Sequence, residues 1–330
     1  MGTSFQKNRI YILFIFIPIF LNYALNLKDN LDVELILSIN FYDILLTVLL
    51  FIFLIYTGKE ISYKLNLPYI STGIVAYALS FFLFDIILLF ITTKLSFSNI
   101  FIIVNFLWIF SLILLQSEKV IILRIIIFYG LLNGYSKLTQ NLLTVNKNII
   151  GDVKDIHFDH VKNIYTESYY YSVSNSGYEG YPQLVAYFQA LLNKISTIEI
   201  DFLNYSSTIN VLFLLTLLFI FELDLHKINK LSFAALFTAL TFNSEWLKIL
   251  FFDSLMTEGT LSYLFCVLTV SIVKSTNEKG SNKLLMFVLI GILYFSKQFI
   301  SLLSLVVIIF FLLNKKIRPY AWAVSYTHLT

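Results

Sequence analysis

Residues 69–92 read YISTGIVAYALSFFLFDIILLFIT, a run of apolar and aromatic side chains in which Asp85 is the only charged group. An α-helix needs about 20 consecutive, mostly apolar residues to cross the hydrocarbon core of a bilayer. The run therefore predicts a transmembrane helix.

The composition of the whole chain extends this expectation from one helix to the fold. Of the 330 residues, 58% are hydrophobic and 13% are charged, and the mean hydropathy is +0.81. Soluble proteins are about half apolar and about a quarter charged. A soluble fold could not bury this much apolar surface, so we expect an all-α, polytopic integral membrane protein.

The net charge of +3 does not indicate a nucleic-acid partner, and the single cysteine, Cys266, excludes an internal disulfide and a Cys/His metal cluster.

Hydropathy predicts about ten transmembrane helices in two groups. The candidate spans are 9–27, 36–57, 69–92, 98–115, 120–135, 205–222, 231–245, 259–273, 284–296 and 298–313. The predicted domains are N-terminal transmembrane helices in residues 1–135, a long loop in 136–204 and further transmembrane helices in 205–323. Residues 324–330, VSYTHLT, resemble a translated sequencing adapter. We exclude them as an artefact and expect the natural chain to continue past residue 323.

The positions of the basic residues predict which side of the membrane each turn faces. Lysine and arginine collect in short cytoplasmic loops. With a cytoplasmic N-terminus, the cytoplasmic turns would hold Lys7, Arg9, Lys59, Lys64, Lys119, Lys227, Lys230, Lys274, Lys279, Lys283, Lys315, Lys316 and Arg318. On this map, loop 136–204, segment 243–259 and Lys297 all lie outside the cytoplasm. We therefore expect a multi-pass protein of the inner (plasma) membrane with its polar site on the extracytoplasmic side.

The long loop carries a dense group of titratable side chains in the stretch GDVKDIHFDH, residues 151–160. These side chains are Asp152, Asp155, His157, Asp159 and His160. If the stretch is helical, the three aspartates share a face, because their spacing is three and then four. Such groups could bind a divalent cation, act as a general base, or be solvated. No metalloprotease spacing is present.

The second half of the loop predicts a helix at the membrane surface. Pro182 opens a pattern in which Leu184, Tyr187, Phe188 and Leu191 recur at helical spacing and form one apolar face. We expect an interfacial amphipathic helix, with tyrosines at the depth of the lipid headgroups.

Two further charged residues stand at the edges of predicted spans. Glu258 opens an apolar run at its outer end, where it is a functional candidate or a partner for the positive end of the helix dipole. Lys297 lies between two apolar runs. Its ammonium group there would meet water, a carboxylate or a phosphate, or extend to the interface.

Four short elements of the chain together resemble glycosyltransferases of the GT-C class, the group of protein mannosyltransferases and lipid-A aminoarabinose transferases. The matching positions are Asp152 and His157 in the first element, Tyr181, Pro182 and Leu184 in the second, Thr257, Glu258 and Leu261 in the third, and Gly291 and Lys297 in the fourth. The resemblance covers residues 150–313. It departs from the family pattern at Gln183, where a proline is usual, and at Glu258, where an aspartate is usual.

The resemblance implies an enzyme that transfers a hexose or pentose, with inversion, from a polyprenyl-phosphate carrier to a glycan, lipid or protein acceptor. Asp152 would be the general base, and Glu258 and His157 would position the acceptor or a cation. Lys297 would bind the lipid phosphate. Further substrate-binding candidates are Asp155, Asp159, His160, Glu179 and Tyr181. The resemblance implies no cofactor, except that a divalent cation is left open. Besides the donor and the acceptor, the expected partner is membrane lipid.

Three other functions remain open on the sequence. A carrier-lipid flippase or other transporter would place charged or broken helices near the middle of the bilayer, where Arg124 and Asp85 are the candidates. An O-antigen polymerase or ligase would also have a large outer loop, but such enzymes typically rely on arginines there, and residues 136–204 contain none. A non-catalytic membrane scaffold would tolerate Asp152→Asn without any loss of activity.

Overall fold

The computed structural model describes residues 33–90, 95–115, 117–139, 158–169, 171–172, 184–196, 206–243, 257–293, 298–314 and 318–319. Within these ranges the chain forms eleven α-helices and no strand. The helices are α1 Val33–Lys64, α2 Ile70–Phe90, α3 Phe97–Leu114, α4 Lys119–Thr139, α5 Phe158–Thr166, α6 Leu184–Ser196, α7 Ser206–Glu222, α8 Lys227–Asn243, α9 Thr257–Asn277, α10 Lys283–Leu293 and α11 Gln298–Leu313.

The predicted spans coincide with helices wherever the structure describes them. Every candidate from 36–57 to 298–313 falls on α1–α4 or α7–α11, while 9–27 lies outside the described residues. Five helices, α1 to α4 and α9, are long and apolar enough to cross a membrane. Shorter apolar helices occur within α7, α10 and α11. The all-α class and the membrane character are thus supported, and ten crossings stay a prediction.

Helices α1 and α2 pack against each other through two glycines. A Cβ atom added to Gly73 would collide with the main-chain oxygen of Gly58 and lie 3.0 Å from the nitrogen of Ser62. A Cβ added to Gly58 would lie 2.9 Å from the main-chain oxygen of Ile70 and 2.9 Å from the nitrogen of Ile74. Small residues allow helices in membranes to approach this closely, so that their backbones touch.

Helix α1 ends in a Schellman motif centred on Asn66. The main-chain N–H of Leu67 donates to Ser62 (2.8 Å), and that of Asn66 donates to Tyr63 (3.4 Å). Asn66 has a φ of +53°, in the left-handed region that asparagine tolerates better than most residues. Pro68 follows and prevents the helix from continuing. The chain therefore reverses here and starts α2 antiparallel to α1.

Hydrogen bonds and an ion pair gather four turns that contain or adjoin a lysine at one end of the bundle, which we call the lysine-rich end: residues 65–69, 117–118, 223–226 and 278–282. Lys64 donates to the main-chain oxygen of Leu115 (2.9 Å), and the N–H of Asn282 donates to Asn66 (3.2 Å). Lys274 pairs with Asp224. Four of the turns that the charge pattern assigned to one side lie together, and which side of a membrane they face stays a prediction.

Glu222 attaches the end of α7 to the start of α2 at this same end. Its carboxylate accepts hydrogen bonds from the N–H of Ile70 (2.6 Å) and from the N–H and hydroxyl of Ser71 (2.9 and 2.5 Å). The first N–H groups of a helix have no partner within the helix, so a carboxylate there satisfies donors and complements the helix dipole. The contact holds α2 in register against α7.

We predict that Gly73→Ala lowers the free energy of unfolding by about 1–3 kcal/mol or more, because the new methyl group would overlap the main chain of α1. The measurement is thermal or denaturant unfolding of the purified chain in detergent. Gly134→Ala is the matched control, since a Cβ at Gly134 would meet nothing within 4 Å. In the exposed interior of α4 that change should be neutral or stabilising by up to about 1 kcal/mol. Equal effects of the two substitutions would contradict the close helix contact.

Candidate functional site

The end of the bundle opposite the lysine-rich end is organised around α6. Helix α6 packs against α5 and also contacts α1, α2, α4, α7 and α9. All of its side chains except that of Lys194 are buried. It therefore closes this end of the bundle as an interior helix.

The expectation of an interfacial amphipathic helix is wrong in its placement. The apolar face of Leu184, Phe188 and Leu191 is present, but the opposite face, with Gln189 and Asn193, is buried as well. Helical periodicity identifies the more apolar side of a helix and says nothing about what covers the other side. Here the neighbouring helices cover both sides.

Three of the predicted site residues lie on described helices. Asp159 is exposed and His160 is buried at 1% exposure in the first turn of α5, so the two side chains point in different directions. Glu258 lies in the first turn of α9. The other candidates, Asp152, Asp155, His157, Glu179, Tyr181 and Lys297, lie outside the described residues.

Packing between α2 and α9 shows where the start of α9 lies along the bundle. The hydroxyl groups of Thr72 and Ser271 are in contact, and the start of α2 and the end of α9 meet at the lysine-rich end, so the two helices run antiparallel. At 1.5 Å rise per residue, moving about 20 Å from this contact along each helix reaches Asp85 on α2 and Glu258 on α9. Helix α9 also contacts α6. The start of α9 is therefore at the end that α6 closes.

Asp85 is a buried acid at this end, which the sequence analysis names only as an interior residue of a span and as a candidate charged group of a transporter. Its side chain is 4% exposed. The hydroxyl of Tyr187, on α6, lies between the main-chain oxygen of Phe81 (3.1 Å) and the carboxyl group of Asp85. One hydroxyl proton can serve only one acceptor at a time. In addition, Oδ2 of Asp85 has no hydrogen-bond partner among the described residues, which leaves acceptor capacity for a further donor.

Aromatic rings pack around Tyr187, the partner of this carboxyl group. Tyr187 packs edge-to-face against Phe82 and Phe97 (ring centroids 5.3 Å apart in both pairs) and against Tyr169 (5.9 Å). Burial, and then the nearby charge of Asp85, raises the pKa of Tyr169 to about 12. The same two causes raise the pKa of Tyr187 well above its usual value. Both phenols therefore keep their protons at physiological pH and can act as donors.

Several polar side chains on α6 and on helices that contact it are buried and have at least one atom without a partner among the described residues. We call them the buried polar set: Asp85, Ser136, Gln189, Asn193 and Thr260, each at most 4% exposed. In the part of the chain that the structure describes, Oδ2 of Asp85, Oε1 of Gln189, both amide atoms of Asn193 and the two hydroxyls have no hydrogen-bond partner. Each buried donor or acceptor that lacks a hydrogen bond lowers the free energy of unfolding by about 1–3 kcal/mol. Their hydrogen-bonding capacity suits contact with water, with a ligand or with another part of the chain.

Lys194 and the turn after α5 tie the loop helices to the start of α3. Nζ of Lys194 donates to the hydroxyl of Ser98 (2.8 Å) and lies 4.8 Å from the ring centroid of Tyr165. Burial lowers the pKa of this ammonium group. The N–H of Phe97 donates to the main-chain oxygen of Glu167 (2.9 Å). These contacts hold α5 and α6 in fixed positions over the bundle.

Comparison with other proteins adds no family to these observations. The chain matches no protein-family model, and no curated protein and no solved structure is detectably similar to it. Among the described residues, no three His, Cys, Asp or Glu side chains are grouped closely enough to hold a metal ion.

We predict that Tyr187→Phe lowers the free energy of unfolding by about 1–3 kcal/mol, because it leaves the buried carboxyl group of Asp85 without its hydroxyl partner. Unfolding of the purified chain in detergent measures the change. Tyr63→Phe is the control, since Tyr63 is 72% exposed, and it should change stability by less than about 0.5 kcal/mol.

A double-mutant cycle with Asp85→Asn separates this bond from general packing. If the hydroxyl serves Asp85, the two changes should be non-additive by about 0.5–3 kcal/mol. Strict additivity would assign the effect to the bond with Phe81 alone.

Proposed function

We propose that the chain is a membrane glycosyltransferase that moves a sugar from a polyprenyl-phosphate donor to an extracytoplasmic acceptor. The observation that carries the proposal is the meeting of α5 and α6, from loop 136–204, with the start of α9 at one end of the bundle. Of the sequence elements that resemble the GT-C class, the third opens α9 and Leu184 of the second opens α6, while the first directly precedes α5 in sequence and lies outside the described residues. Elements distant in sequence would have to converge in this way to form one transfer site.

The proposed chemistry assigns one task to each charged group. Asp152 accepts the proton of an acceptor hydroxyl while the acceptor oxygen bonds to the anomeric carbon. The bond between that carbon and the phosphate oxygen breaks, and the polyprenyl phosphate leaves with the electron pair. Lys297 stabilises the departing phosphate. Glu258 and His157 position the acceptor or a cation, and Asp155, Asp159, His160, Glu179 and Tyr181 remain further substrate-binding candidates.

The buried polar set supports a carbohydrate substrate at this end. Sugars present many hydroxyl groups, each able to donate and accept, and a site for them needs amides, carboxylates and hydroxyls with free capacity. Gln189, Asn193 and Asp85 have that capacity within the described residues. The rings of Tyr169 and Phe82, whose centroids are 5.4 Å apart, add aromatic surface beside these polar groups.

The position of Asp85 favours this function over a transporter. A transporter would bring its charged groups to the middle of the bilayer. Asp85 lies about 7 Å beyond the midpoint of α2, toward the end closed by α6. Tyr187 of α6 also covers Asp85. A carboxyl group near one end of the bundle and covered by a loop helix suits a site at that end better than a passage through the bundle.

We predict that Asp152→Asn reduces sugar transfer by at least a hundredfold without changing membrane insertion, because a general base typically contributes a factor of about 10²–10⁴. The assay follows transfer from a panel of radiolabelled decaprenyl-phosphate hexoses and pentoses in membranes that contain the full chain. Glu167→Gln, an exposed residue after α5, should leave the rate unchanged. A normal rate in Asp152→Asn would remove the base assignment, and no transfer by the unaltered chain from any donor would overturn the function.

We predict that the loop helices face the outside of the cell. In a Cys266→Ser background, Lys162→Cys on α5 and Lys279→Cys at the lysine-rich end each place a thiol at an exposed position. An impermeant maleimide added to intact cells should label the first variant, and should label the second only after permeabilisation. The reverse labelling pattern would put the proposed site on the cytoplasmic side and would contradict the extracytoplasmic assignment.

A further inference from the structure

A cleft of about 340 Å³ lies between α1 and α4 near the lysine-rich end, far from the buried polar set. Its wall includes Tyr56, Lys59 and Glu60 of α1, Glu118 in the turn before α4, and Arg124 on α4. Tyr56 stacks on Phe128 of α4, with ring centroids 5.2 Å apart and planes at 23°. The stacked rings join the two helices beside the cleft.

The cleft is lined by two cations and two carboxylates that do not neutralise one another. The side chains of Lys59, Glu60, Glu118 and Arg124 make no ion pair or hydrogen bond among the residues described in 33–90 and 117–139. Glu60 is 3% exposed, so a carboxylate is held in the wall of the cleft with no partner. Leaving a largely buried carboxylate without a partner is costly. Lys59, Glu118 and Arg124 are exposed, so a ligand that brings both signs of charge would relieve the cost at Glu60 and pair with the other three groups.

The outer surface of α4 beside the cleft is apolar. Val120, Leu123, Ile127 and Leu131 recur at helical spacing and are 49–56% exposed. Only 11% of this span is buried in the bundle. An apolar face of this kind suits the acyl chains of a lipid, and Arg124 lies on the same side of the helix, where it can reach a headgroup.

We propose that this cleft binds a phospholipid whose headgroup is phosphoethanolamine. The phosphate bonds to Lys59 and Arg124, and the primary ammonium group donates to the carboxylates of Glu60 and Glu118. The acyl chains lie along the exposed face of α4. A choline headgroup lacks N–H donors for the two carboxylates, and a glycerol headgroup lacks the positive charge. The site is independent of the glycosyltransferase function, since none of its residues belongs to the proposed transfer site.

Native mass spectrometry of the full chain tests the proposal, with dioleoyl phosphatidylethanolamine, phosphatidylcholine and phosphatidylglycerol titrated separately in the same detergent. We expect one phosphatidylethanolamine molecule to bind about tenfold more tightly than either other lipid, the size of effect of one hydrogen bond to a charged group. Glu60→Gln and Glu118→Gln should each remove the preference, whereas Arg124→Gln should weaken the binding of all three lipids alike, because each of them carries the phosphate. Equal binding of the three lipids, or tighter binding of phosphatidylglycerol, would overturn the proposal.

Matched controls keep the test specific. Lys137→Gln removes a cation from the far end of α4, and Glu167→Gln removes an acid from the opposite end of the bundle; both should keep the preference. Glu118 is exposed, so Glu118→Gln remains informative if Glu60→Gln does not fold. Soluble glycerophosphoethanolamine should compete poorly, because it lacks acyl chains. If it displaces the lipid at equal concentration, the ligand is the free headgroup and the lipid site is wrong.

Discussion

The contact between Gly58 and Gly73 brings α1 and α2 close enough for their main chains to touch, and much of the bundle is arranged on this pair. Helix α2 also contacts α3, α6, α7, α9 and α10. In lipid there is no hydrophobic force between helices, so association depends on close packing and on polar contacts. The glycine pair supplies the packing. Glu222, which bonds to the start of α2, supplies a polar contact that sets its position along the bundle.

Because α2 is held in this way, its two ends carry different chemistry. At its start, carboxylate and helix N–H groups satisfy each other. Toward its end, Asp85 is buried with an oxygen that has no partner among the described residues. Orphaned groups at about 1–3 kcal/mol each are a heavy cost for a protein whose whole stability is on the order of 5–15 kcal/mol. The unpartnered atoms on and around α6 are therefore one part of the case for a proposed site at the second end.

Local patterns predicted the helices well and their surroundings poorly. Hydropathy located α1 to α4 and α7 to α11 because a membrane helix is set by its own length and polarity. The burial of α6 could not be predicted, since periodicity shows which face is apolar and not what packs on the other. The sequence does not assign Asp85 to the proposed site, because a lone acid in an apolar run fits several structural and functional roles. Asp85 and Glu258 lie at the same height along the bundle because of the register of α2 against α9, and no local sequence pattern contains that register.

The antiparallel register also links the sidedness of distant parts of the chain. Thr72 and Ser271 are in contact near the lysine-rich end, so the start of α9 must lie at the other end, whatever the orientation of the bundle. Helix α6 contacts both α2 and α9, and α5 packs on α6. Knowing which side of the membrane one end of any of these helices faces therefore fixes the orientation of all of them. The lysine pattern, spread over many short turns, and the buried polar set, which belongs to helices far apart in sequence, are two consequences of the same packing. A reversed topology would move the lysines and the proposed transfer site together and could not separate them.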